Sequence, residues 1–118
     1  YHITSDESLT WNQIYQSVAR AAGVDEVDLV HVPSELIHAY APDWGAGLLG
    51  DKAYSVVFDN SKIKRLVPDF VATNPFAQGA REIMAWFDAD PARQVVDPQW
   101  NELYDRIITA YRGAFPKS

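Results

Sequence analysis

The sequence predicts a helix-dominated α/β chain with about three short strands. Two observations predict it. Helix-start signals recur along the chain, each followed by apolar residues at helical spacing, and three short β-branched or alternating runs lie between them. The chain has 118 residues, enough for one domain and too few for two. With 47% hydrophobic residues it has the means to build a core.

Tyr1 to Thr4 alternate as a strand would. Neither a signal peptide nor an initiating methionine opens the chain, which suggests a truncated piece of a longer protein. Thr10 is the N-cap of the first helix, with Gln13 completing a capping box and Leu9 and Ile14 placed for a hydrophobic staple. Trp11, Ile14, Val18 and Ala22 continue its apolar face, and Gly23 offers the left-handed stop. Val27 to Val32 reads as a second strand ending at Pro33, and residues 34–40 as a short helix closed by Pro42. Residues 41–52 read as a glycine-rich loop, and Tyr54 to Phe58 as a third strand. The run from Asp59 to Lys62 caps a brief helix that ends before Pro68. Asn74-Pro75 and Asp97-Pro98 each pair a cap with proline at the first helical position. Phe76, Ala80, Ile83 and Phe87 give the buried face of one helix; Trp100, Leu103, Tyr104, Ile107, Ile108 and Tyr111 give that of the last.

Charge and composition exclude several functions. Sixteen acidic residues against ten basic give a net charge of −6, the wrong sign for general nucleic-acid binding or an anionic membrane surface. No apolar run approaches the ~20 residues of a membrane span. The absence of cysteine removes disulfides, thiolate metal sites and cysteine nucleophiles, and fits a cytoplasmic setting. His2, His31 and His38 sit on separate elements without metal-ligand spacing, so no metal site is expected.

Four stretches in order carry a resemblance: Tyr1-His2-Ile3-Thr4-Ser5, Leu9-Thr10-Trp11-Asn12-Gln13-Ile14, Asp59-Asn60-Ser61-Lys62-Ile63, and Phe76-Ala77-Gln78-Gly79-Ala80-Arg81 through Trp86-Phe87. Together they resemble the C-terminal, substrate-binding part of extended short-chain dehydrogenase/reductases, the NAD-dependent epimerase/dehydratase group. The third looks like that family's Asp-x-Ser-Lys-Ala motif, the fourth its Leu-Glu-Glu-Gly-Leu-Arg helix. The resemblance covers residues 1–88, a substrate-binding lobe, and leaves 89–118 as a helical extension expected to pack on the same domain. It implies a Rossmann-type parent binding NAD or NADP, with no cofactor site and no turnover in this chain itself. The family's Tyr-x-x-x-Lys pair is absent, since no tyrosine here has lysine four residues later.

Gly45-Ala46-Gly47-Leu48-Leu49-Gly50 fits G-x-G-x-x-G, but the pattern works only between a strand and a helix N-terminus, and here a strand-like run follows it. The fit is read as accidental, leaving a loop that closes on substrate or an ordinary surface loop. Where the resemblance implies a diphosphate-binding arginine, three residues before Asp51, this chain has Leu48. The expected substrate is therefore a small molecule without a nucleotide diphosphate.

The substrate-binding candidates are Trp44, which could stack on a ligand; Asp51 and Lys52, at the end of the glycine segment; His38, beside it; and Ser61 and Lys62. Each has a plainer reading. His38 would face solvent, and Asp59 would simply cap the helix carrying Ser61 and Lys62. Expected partners are the substrate, the absent N-terminal cofactor domain, and, for the isolated chain, a second copy meeting an open strand edge or the last helix. A non-catalytic module of the same lineage, binding RNA or protein, is the alternative.

Overall fold

The computed structural model describes residues 1–116. Six α-helices and one 3-10 turn make up its regular structure: α1 (Trp11–Ala21), α2 (Ser34–Tyr40), α3 (Pro42–Leu49), α4 (Ser61–Leu66), α5 (Phe76–Asp88), the 3-10 turn Pro91–Arg93, and α6 (Pro98–Gly113). The chain divides into two compact units. Tyr1–Leu29 and Val56–Gln94 form the first; Val30–Ser55 and the residues from Val95 onward form the second. The final two residues of the expected C-terminal extension lie outside the described residues.

The expected α/β architecture is overturned: no strand forms among the described residues. Tyr1 to Thr4, Val27 to Val32 and Tyr54 to Phe58 are all irregular. A strand exists only through its backbone ladder; Tyr1 to Thr4 lies beside Phe58 and Asn60, but the contacts run through side chains and no ladder forms. Most of the apolar side chains of the three segments consequently face solvent, Val56 and Val57 at 66% and 75% exposure, while Leu29, Val30 and Val32 are half-buried.

The first unit is held by α1 against α5. The α1 start is the expected capping box. Thr10 N–H donates to Gln13 Oε1 at 2.8 Å and Gln13 N–H to Thr10 Oγ1 at 3.3 Å. Its end is a Schellman closure: Gly23 takes φ +76°, its N–H donates to the Arg20 carbonyl, and Val24 N–H donates to that of Ala19. The start of α5 departs from expectation. Pro75 is itself the N-cap, with no side-chain cap of its own. The first orphan donor, Phe76 N–H, is taken instead by the Glu7 carboxylate at 2.8 Å, 69 residues away in sequence. Of the expected α5 face, Ala80 is buried and Phe76 half-buried, while Ile83 and Phe87 remain exposed. The 3-10 turn closes the other end of α5: Arg93 donates to the Trp86 carbonyl at 2.6 Å and lies 4.3 Å from the centre of that indole.

In the second unit α2 packs on both α3 and α6. Asp97 caps α6 as expected, accepting from Gln99 N–H at 2.9 Å, with Pro98 at the first position. Ile107 is the buried centre of its apolar face, flanked by half-buried Leu103, Ile108, Ala110 and Tyr111. Trp100 and Tyr104 stay half-exposed. Among the described residues no helix is long and apolar enough to cross a membrane.

Candidate functional site

The glycine segment is a helix, not a loop. Gly45 and Gly47 lie within α3, and Gly50 is its C-cap. Gly45 N–H donates to the Ala41 carbonyl inside that helix, so it does not point at a ligand. What Gly45 provides is close approach. It is buried, and a Cβ there would fall 2.2 Å from His38 Cα, inside the α2 backbone. A Cβ at Gly47 would meet nothing within 4 Å. The first glycine serves helix packing, the second serves none, and the lid reading of this segment falls with the loop.

Four of the six candidates belong to this second unit. His38 is exposed, with Nδ1 3.1 Å from the Pro42 carbonyl, which ties α2 to the start of α3. Trp44 is half-buried and meets Trp100 and Tyr104 edge-to-face, with centroids 6.0 and 5.7 Å apart. With Trp100 and Tyr104 themselves 5.9 Å apart, the three rings fill their own centre and leave no room for a ligand among them. Asp51 and Lys52 pair with each other at 3.4 Å, both exposed, where such a pair contributes little.

Ser61 and Lys62 belong to the first unit. Asn60, not Asp59, is the N-cap residue of α4, and it offers no side-chain cap. Asp59 bends back instead: its carboxylate accepts from Ser61 N–H at 2.8 Å and from the Ser61 hydroxyl at 2.9 Å. Those two bonds, backbone first, hold the Asp59 carboxyl below its ordinary range. Because the hydroxyl donates straight to a carboxylate with no imidazole between them, Ser61 is not set up as a nucleophile. The Lys62 ammonium stands 4.5 Å from the Tyr1 ring centre, and His2 meets Phe58 edge-on at 4.7 Å.

The residue that sequence reading missed is Asn60, the one buried polar side chain among the described residues, at 6% exposure. Its carboxamide oxygen accepts from Thr4 N–H and the Thr4 hydroxyl at 3.3 and 3.1 Å. Its NH2 donates to the Thr4 carbonyl at 2.7 Å and to Asp6 at 3.2 Å. Asp6 also takes Lys64 at 2.5 Å. Lys64 first, and then Asn60, lower the Asp6 carboxyl below its usual value. Two of the resembling stretches, Tyr1 to Ser5 and Asp59 to Ile63, are thereby locked together. The alternation of Tyr1 to Thr4 spoke of a strand partner; a side chain supplies it.

Among the described residues, each unit carries a concavity. That of about 330 Å3 is lined by Gln16, Ala19, Arg20, Asp25, Glu26 and Val27. That of about 690 Å3 is lined by Tyr40, Glu102, Asp105, Arg106, Thr109 and Ala110, with the Arg106 guanidinium 5.5 Å from the Tyr40 ring centre. Neither contains any of the six candidates. Each sets two carboxylates against one guanidinium, a balance that disfavours a diphosphate. Among the described residues no group of three or more His, Asp or Glu is placed to hold a metal ion.

No family model, no curated protein and no solved structure matches the chain.

Proposed function

We propose that the chain is the substrate-binding part of an NAD(P)-dependent epimerase, dehydratase or reductase, and that a separate cofactor domain carries the nicotinamide and the catalytic tyrosine–lysine pair. The order of the four resembling stretches supports this reading, and so does the bond between two of them through Asn60 and Thr4.

The observation that carries it is uncovered surface. A folded chain of 13.3 kDa exposes about 6,500 Å2, and two independent units of half that mass about 7,800 Å2. This chain exposes 9515 Å2. The excess over either reference is more than the ~800 Å2 that one partner contributes to a standard interface. Its large apolar residues are mostly outside: Tyr1, Ile3, Val56, Val57 and Phe58 are all more than half exposed. Such a surface suits a chain that docks on another domain.

In this reading the substrate is a small molecule without a nucleotide diphosphate, because Leu48 offers no fork for one. The setting is cytoplasmic, and the isolated chain associates with itself for want of its cofactor domain. The test is a substrate screen of the full-length polypeptide with NAD(H) and NADP(H). Turnover of a non-nucleotide substrate supports the proposal. A large preference for a UDP- or GDP-sugar over the free sugar would overturn the substrate class, and no cofactor-dependent turnover at all would overturn the whole.

A further inference from the structure

We draw no further inference here: the strongest candidate, the half-exposed Trp44–Trp100–Tyr104 aromatic cluster on α3 and α6, is an apolar face with nothing in the structure to show what covers it.

Discussion

The Asn60 carboxamide meets Thr4 as a neighbouring strand would, accepting from its N–H and donating to its C=O. Asn60→Ala would strand both Thr4 backbone groups in a partly buried place, costing about 1–3 kcal/mol. Asn60→Asp keeps the acceptor but loses the donor and sets a second carboxylate against Asp6. Urea unfolding of the two variants checks this. Both should fall, and an unchanged midpoint for Asn60→Ala would show that the bonds are dispensable.

The glycines of the G-x-G-x-x-G pattern should behave unequally. Gly45→Ala drives a methyl into the His38 backbone and must part α2 from α3, an overpacking cost of about 1–3 kcal/mol. Gly47→Ala meets nothing within 4 Å and lies inside a helix, where alanine is favoured by roughly 0.5–1 kcal/mol. Thermal melts of the pair decide it. Equal losses would argue that the segment has a role beyond helix packing.

Acid should weaken the first unit through two carboxyls. Asp6 and Asp59 both titrate below their ordinary value of 3.8 in the folded chain. A depressed folded value means that the stabilisation is fully present above the unfolded value and is lost as pH falls through the folded one. Denaturation midpoints should therefore hold from neutrality to about pH 5 and drop below about pH 4. Asp6→Asn and Asp59→Asn should flatten that drop. Both groups are solvent-exposed, so added salt should shrink the Asp6–Lys64 part. A drop of the same steepness in the double variant would place the acid sensitivity elsewhere.

Helix boundaries were the most legible part of the fold, because a cap is a local pattern. Thr10 with Gln13, Gly23, and Asp97 with Pro98 all act as their spacing implies. Long-range substitutes are invisible at that level. Nothing near Phe76 announces that Glu7 will cap α5, and nothing near Thr4 announces Asn60. The strands failed because β-branched composition records a preference for a pleated surface and not the presence of a partner. Residues 41–52 read as a loop from their three glycines, and Pro42 reads as the end of the preceding helix, whereas in the structure Pro42 opens α3 and packing of Gly45 on α2 offsets the poor helix propensity of glycine. Of the candidate site, Asp59 reads in the sequence as the helix cap, whereas in the structure it turns onto Ser61 with Asn60 as the N-cap residue, and nothing in the sequence separates Ser61 and Lys62 from the other four candidates.

The isolated chain should self-associate at micromolar concentration. Ile3→Asp with Val57→Asp would weaken that association without touching a helix, since both side chains are exposed and irregular. Ile107 and Tyr111 are the wrong probes: Ile107 is buried and Tyr111 half-buried on α6, so a charge there tests folding. Light scattering over a dilution series gives the answer. A monomer at every concentration would mean that the apolar surface needs no cover.

Calorimetric titration with NADH and NADPH, run on this chain and on the full-length polypeptide side by side, tests the central claim most directly. The account predicts saturable binding to the full-length polypeptide and none to the chain alone, whose only dinucleotide-like pattern lies within and at the end of α3. Saturable micromolar binding to the chain alone, abolished by substitution of Gly45 or Gly47, would contradict it, as would a full-length polypeptide that binds neither cofactor.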